Sequence, residues 1–262
     1  MQQTNNLHTN LAGINVLPID IDKALEIVSL YIGKKKGDYF CFVNAHLIVE
    51  GNRKIEIKQA LNSASANFPD GMGVALGLKF LGHKFKGRVR GTDFMLKLCN
   101  YAGKKGLTIF LYGSSEDNLI LLDRKLLSLF PNIKIVGKIS PPYRELSREE
   151  DERYINQINK SNADILFVSL GAPKQEKWMY EHKDKIEPIQ LGVGAAFDFI
   201  TGNVKEAPIL FQKLCLEWLF RFIQQPRKTI YRISLFPEFI IKIIIQKFKK
   251  ICFQKRISNF KC

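Results

Sequence analysis

Asp70 is the first residue in the chain whose surroundings suggest chemistry. It lies in ANFPDGMGVALGLKFLG (Ala66–Gly82), between apolar residues and close to Gly71, Gly73 and Gly77. An isolated Pro-Asp-Gly is most often a turn, the aspartate bonding its own backbone. The apolar flanks favour a second use. A carboxylate partly withdrawn from water has a raised pKa and serves better as a general base near neutral pH. The glycines permit close backbone approach by a ligand.

Three further stretches carry groups that could act with it. GRVRGTDFM (Gly87–Met95) supplies Arg88 and Arg90, whose planar guanidinium groups suit phosphate oxygens. The same stretch also reads as a solvated loop with Thr92 or Asp93 as a helix N-cap. SLGAPKQEKWM (Ser169–Met179) places a glycine turn after a buried strand and aims a helix N-terminus outward, a ready anion site beside Lys174 and Gln175. GVGAAFDFITGNVKEAP (Gly192–Pro208) is a small, glycine-rich strand end with Asp198, either a cap or part of a pocket wall. It is not a GxGxxG opening a first βα unit, so a dinucleotide fingerprint is poorly supported. His46, His83 and His182 have no metal-ligand spacing with one another or with cysteine, and no nucleophile elbow is present. A carboxylate base acting without metal or cofactor is what remains.

These residues need elements to hold them. YFCFVNAHLIV (Tyr39–Val49), LTIFLYGSS (Leu107–Ser115), IKIVGKIS, ADILFVSL and PIQLGVG read as buried strands, each followed by turn residues and a helical period. Ser114 and Asp117 suggest an N-cap. Leu119, Leu122, Leu126 and Leu129 mark one helical face, and Ser147 with Glu150 forms a capping box. Strand and helix alternating in this way predict an α/β fold, a Rossmann-like and mostly parallel sheet flanked by helices. Ligands bind beyond the carboxyl ends of such strands. Asn44, Gly113, Ser114, Gly171–Gln175 and Gly192–Asp198 all fall there. After about residue 207 the strand rhythm stops and helices broken near Pro226 and Pro237 follow. We therefore expect a body over 1–205 and a helical, basic, membrane-associating appendage over 206–262.

Charge separates the same two regions. The net charge is +15, and residues 221–262 hold eleven Lys and Arg against Glu238 alone, a net +10. A cationic tail on a nearly neutral body implies an anionic partner. On a helix from Phe239 to Cys252, Phe239, Ile240, Ile243, Ile244, Phe248 and Ile251 share an apolar arc, with Lys242, Gln246 and Lys249 opposite. That pattern suits a helix resting in an anionic membrane interface; the alternative is a half-buried helix packed on the body. Five cysteines without a CxxC pair read as reduced thiols, and the polar first residues lack a signal-peptide core. No apolar run is long enough to span a bilayer. A cytoplasmic protein, peripheral on the inner face of the cell membrane, is expected.

In order and spacing, NAHLIVEGNR, FPDGMGV, GRVRGTDFM, LYGSS, SPPY, LFVSLGAPKQEKWM, GVGAAFDFITGNVKEAP and EWLFRFIQQPRKTIYR resemble the WecG/TagA/CpsF glycosyltransferases, glycosyltransferase family twenty-six. The resemblance covers roughly residues 10 to 235. It implies transfer of an N-acetylmannosamine-type sugar from a UDP-sugar donor to a polyprenyl-diphosphate-linked sugar acceptor. The product would feed teichoic acid or a related surface polymer. It makes Asp70 the base for direct, inverting displacement, with Asn44 beside the reacting sugars and Arg88 and Gln175 in the same pocket. Arg221, Arg227 and Arg232 match the basic groups that the family's C-terminal appendage brings to its active site. The family has no metal-binding DxD, so diphosphate charge would be met by arginines and helix-end amides. Self-association on one face of the body is also implied. Many relatives carry threonine two residues before the Asn44 position, where this chain has Phe42. Two other readings compete: a non-enzymatic nucleic-acid binder using the aromatic and basic tail, and a nicotinamide-dependent oxidoreductase. The first lacks a recognised nucleic-acid module, so we expect no nucleic-acid partner; the second lacks its fingerprint.

Overall fold

The structure is a computed structural model describing residues 8–34, 37–85, 87–208, 210–211 and 217–259, with the backbone alone at 228 and 253–259. Its centre is a six-stranded, wholly parallel sheet in the order β4-β3-β8-β7-β5-β6. These strands are β3 (Tyr39–Val43), β4 (Ala66–Pro69), β5 (Thr108–Gly113), β6 (Lys134–Ile139), β7 (Ile165–Ser169) and β8 (Ile189–Gly192). A small antiparallel hairpin, β1 (Thr9–Leu11) and β2 (Ile14–Val16), covers the β4 edge, where Leu17 N donates to Asn67 O. The α/β class expected from the strand–helix alternation is what forms.

Successive strand residues point to opposite faces, and each face has its own core. Phe40, Phe42, Phe68, Ile109, Leu111 and Phe167 pack beneath α1 (Ile21–Ser29), α5 (Gly91–Lys105), α6 (Glu116–Leu129) and α9 (Ala196–Thr201). Tyr39, Cys41, Val43, Phe110, Tyr112 and Val168 face α2 (Ala45–Arg53), α3 (Ile55–Asn62), α4 (Met72–Phe80), α7 (Arg148–Lys160) and α8 (Lys174–His182). Burial on both sides is why the strands read as unbroken apolar runs.

Several local expectations change. The apolar run Tyr39–Val49 is not one strand: β3 ends at Val43, and Asn44 caps α2 by accepting from Leu47 N at 3.0 Å. Leu47, Ile48 and Val49 are apolar because α2 is buried against the sheet. Ser115, not Ser114, caps α6. Leu119, Leu122 and Leu126 are buried on that helix, but Leu129 is exposed. The capping box of Ser147 and Glu150 is present. At α5 the N-cap is Arg90 without a side-chain bond, so neither Thr92 nor Asp93 caps it. Strand β4, only ANFP, was hidden by its proline, which can lie at a strand end next to a sheet edge. Among the cysteines, Cys41, Cys99 and Cys252 are free thiols; Cys215 and Cys262 lie outside the described residues.

Three helices follow the body: α10 (Glu217–Gln224), α11 (Pro226–Ser234) and α12 (Phe236–Asn259). The apolar arc expected on α12 divides. Phe239 and Ile243, with Leu235 before them, enter the core against α2 and α4. Here the glycines after Asp70 find their use. A Cβ on Gly73 would lie 2.8 Å from the Phe236 ring, and one on Gly77 would lie 3.3 Å from Phe239. Those two glycines admit rings of the chain's own last helix, not a ligand. Gln246 fixes the same helix to the hairpin, accepting from Ala12 N at 2.8 Å and donating to Asn10 O at 2.6 Å. Ile240, Ile241, Ile244, Ile245, Phe248 and Ile251 form a second stripe that is exposed. The basic positions Lys255 and Arg256 have no described side chains, and Lys261 lies outside the described residues. Among the described residues no helix is long and apolar enough to cross a membrane.

Seating of α12 makes a measurable demand on the core. Phe239→Ala should cost about 3 kcal/mol of unfolding free energy, read as a lower urea midpoint; an unchanged midpoint would mean that α12 does not pack on the body.

Candidate active site

The crevice beyond the carboxyl ends of the strands is built outward from Asp70. Its backbone N–H donates to Val43 O at 2.9 Å, which ties it to the end of β3. Gly71 then turns the chain into α4 at φ +82, a conformation glycine adopts without steric cost. Asn44 is the neighbour across this turn, 3.8 Å from where a Gly71 Cβ would sit. Val89 N donates to Pro69 O at 2.7 Å, and Val89 is fully buried. That bond places Arg88 and Arg90, on either side of Val89, alongside Asp70.

The C-terminal helices close over the same point. Arg88 donates through both Nη atoms to Glu217 at the start of α10, one bond measuring 3.0 Å. Arg221, one helical turn further on, stacks over the Phe199 ring at 5.1 Å. Arg90 donates to Glu206 at 2.9 Å. Arg232 follows on α11, close enough to Arg221 and His46 to act on their charge. Tyr231 beside it donates its hydroxyl to Glu50 and meets the His46 ring edge-on at 6.0 Å.

Charge in this crevice is strongly perturbed. Burial pushes the Asp70 carboxyl above the usual range; Arg221, Arg88 and Arg90 pull it back and Glu217 raises it further. Among the described residues no hydrogen bond reaches that carboxyl. Burial and then Arg232 lower His46 to about 4, which leaves it neutral at pH 7. Burial and then Arg221 lower Arg232 as well. Two neighbouring cations that repel each other beside a dry carboxylate form a site for an anion.

The other half of the crevice is a network of amides and a hydroxyl around the single carboxyl of Asp198. Gly113 at the end of β5 has φ +114, and a Cβ there would lie 2.4 Å from Ser169 O. Ser114 Oγ accepts from Asn118, which also donates to Asp198 at 2.8 Å and accepts from Asn203 at 2.7 Å. The strands carrying Asp70 and Ser114 are four spacings apart, roughly 19 Å. Helix α9 joins the two halves, since Asp198 meets Asn118 and Phe199 meets Arg221.

The remaining expected residues take other positions. Gln175 is buried and uses its amide on the floor: Nε2 donates to Gly192 O at 2.8 Å and Oε1 accepts from Gly194 N at 3.0 Å. It shapes the β8 turn, and Nε2 also donates to the Glu176 carboxylate at 2.9 Å. Thr92 is buried in the first turn of α5, and Arg227 is exposed at the start of α11. Phe42 is packed between Phe68 and Phe94, with ring centroids 5.6 and 5.3 Å away, so this position provides floor and no hydroxyl. Glu217, His46, Asn118 and Asn203 were not anticipated. Glu217 could have been found, because it stands four residues before Arg221 and shares its helix face. A concavity of about 750 Å³ between β6 and α7, lined by Phe110, Gly137, Glu152 and Arg153, contains none of these residues.

A parallel α/β sheet that brings a carboxyl and several guanidinium groups to one strand edge can accommodate an anionic group beside an acid–base group. The chain belongs to the Glycosyl transferase WecG/TagA/CpsF family, whose match spans residues 9–252. It is 30% identical over 224 residues to the N-acetylglucosaminyldiphosphoundecaprenol N-acetyl-beta-D-mannosaminyltransferase of Bacillus subtilis, covering 85% of both chains. Similarity to the Bacillus spizizenii protein of the same name is 27% over 215 residues, covering 82% of this chain and 81% of that one. The protein is a glycosyltransferase.

The site floor yields a stability test. Glu176 is buried beside Gln175, and burial raises its carboxyl from 4.5 to about 7. Between these values the unfolded chain releases a proton that the folded chain keeps. Stability from this group is therefore full below 4.5 and is lost as pH rises through about 7. Glu176→Gln should flatten the decline in urea midpoint between pH 5 and pH 7.5; a slope equal to that of the parent would exclude Glu176 as its source.

Proposed function

We propose that this enzyme moves an N-acetylmannosamine-type sugar from a UDP-sugar to a polyprenyl-diphosphate-linked sugar, with inversion and without a metal. The named activity of the two Bacillus relatives supports the acceptor and the sugar. The observation that carries the reading is the Asp70 carboxyl, raised by burial and faced by Arg221, Arg88 and Arg90.

Asp70 takes the proton of the acceptor hydroxyl as its oxygen attacks the anomeric carbon. The bond from that carbon to the nucleotide's phosphate oxygen breaks in the same step, and UDP leaves from the opposite face. Negative charge grows on the departing diphosphate, and Arg221 and Arg232 are placed to meet it. Asn44, at the turn beside Asp70, orients the sugars. The Ser114, Asn118 and Asp198 network offers donors and acceptors suited to a nucleoside. Gly113, with no Cβ to meet Ser169 O, lets that network lie against β7, where Ser114 N donates to Ser169 O at 3.2 Å.

The acceptor's lipid makes a membrane surface the place of action. The exposed apolar stripe of α12 is flanked by Lys242 and Lys249 on one side and Lys247 on the other. Such a helix lies in an interface with its apolar stripe down, each lysine near an anionic surface contributing about 1 kcal/mol. Phe80 and Leu76 on α4 are exposed next to it, and Lys247 sits 5.6 Å over the Phe80 ring. The product would enter teichoic acid or a related cell-surface polymer.

Asp70→Asn should leave the fold intact and lower kcat by about a hundredfold or more, the usual worth of a general base; product mass from a UDP-sugar and a short-chain lipid diphosphate acceptor reports it, and near-parental turnover would remove Asp70 from the role. Replacing Ile241 and Ile245 together with glutamate should weaken binding to anionic vesicles by about tenfold or more, measured by flotation; unchanged binding would move the membrane contact off α12.

A further inference from the structure

We propose that Glu217 is a positioning residue for the transfer: by holding both ends of the Arg88 guanidinium it sets α10 over the crevice and screens Asp70 from the Arg88 charge. The proposal rests on the reading of Asp70 as the base.

The geometry comes first. Glu217 and Arg221 stand one turn apart on α10, so the carboxylate that grips Arg88 and the guanidinium that reaches the Phe199 ring share one helix face. The Arg88 and Glu217 side chains retain only 13% and 18% of their surface in contact with solvent, and the two-pronged bond defines orientation as well as distance. The pair joins groups 129 residues apart and connects the body directly to α10. A helix held in this way presents Arg221 to Asp70 in one place.

Electrostatics gives the pair a second consequence. The charged groups that face Asp70 are Arg221, Arg88, Arg90 and Glu217. Three unopposed cations around a carboxylate would make it a poor base, because they favour its charged form. Two of the three are already matched, Arg88 by Glu217 and Arg90 by Glu206 and Asp93. A guanidinium locked to a carboxylate acts on Asp70 largely as a dipole, whose field falls off faster than that of a single charge. Arg221 keeps its charge available for the leaving group. Glu217 itself stays ionised: burial works against its charge, but the Arg88 bond and the charges of Arg88, Arg90 and Arg221 outweigh it. The arrangement therefore separates two demands that conflict in one small space, a basic carboxylate and a strong anion site.

The test compares full-length parent, Glu217→Gln and Glu217→Asp by the pH dependence of kcat/KM and by carbon NMR titration of the Asp70 carboxyl. Glu217→Gln leaves Arg88 unmatched, so Asp70 should titrate about one pH unit lower. The acid limb of the profile should move down with it, and plateau kcat should fall about tenfold. Glu217→Asp keeps the charge and should hold the acid limb at its parental position. If Glu217→Gln does not fold, Glu206→Gln, which removes one of the carboxylates that match Arg90, should shift the Asp70 titration in the same direction by less. An Asp70 titration unmoved in the variant that folds overturns the proposal, whether or not activity falls, because a purely structural tie would leave it in place. The readouts also separate the two levels of inference. An active Asp70→Asn enzyme overturns the base, whereas an inactive one with an unmoved titration overturns only the part given to Glu217.

Discussion

A carboxylate held out of water among guanidinium groups is the constraint from which most of this structure follows. Burial alone favours the neutral acid, and positive charge alone favours the anion. Asp70 sits where the two oppose each other, and the balance depends on where each cation is anchored. Arg88 and Arg90 arrive by the pairing of Val89 with the end of β4. Arg221 and Arg232 arrive on helices that begin almost 150 residues later in the chain, near Glu217. The sheet provides the rigid edge on which both sets can be registered. Its two packed faces make that edge stiff enough to hold a small crevice open.

The C-terminal helices consequently serve two surfaces. One side of α12 is core, with Phe239 and Ile243 seated beside α4. The other side carries apolar residues that no part of the described chain covers, next to lysines. The helix that immediately follows Asp70 is thus also the helix on which the chain's end rests. Asp70 therefore lies one helix away from the exposed apolar stripe of α12. Presentation of that stripe and assembly of the crevice draw on the same packing.

Much of the body was legible in the sequence because strands buried on both faces leave long apolar runs, and helices between them leave a regular period. The losses have local causes. Val43 and Leu47 belong to different elements, yet both are buried, so hydropathy joins them; only the capping role of Asn44 divides strand from helix. Four residues ending in proline are too short to announce β4. Within the site, residues next to strand ends were found, since topology alone brings Asn44, Asp70 and Ser114 to one edge. Groups that depend on distant pairing were not. Glu217 acquires its meaning from Arg88, and Asn118 from Asp198. A glycine can permit a ligand or a ring, and the choice at Gly73 was settled by Phe236, a residue far along the chain. Gln175 shows the converse, a polar side chain near the strand ends whose partners are the β8 turn backbone and the neighbouring Glu176.

The bond between Gln246 and the hairpin spans more than 230 residues of chain. A ribosome makes the hairpin long before this glutamine. While the residues between them are synthesised, therefore, the sheet can form with the grooved face of α4 still open. That face is covered only once α12 has been made and settles beside strands that preceded it by most of the fold.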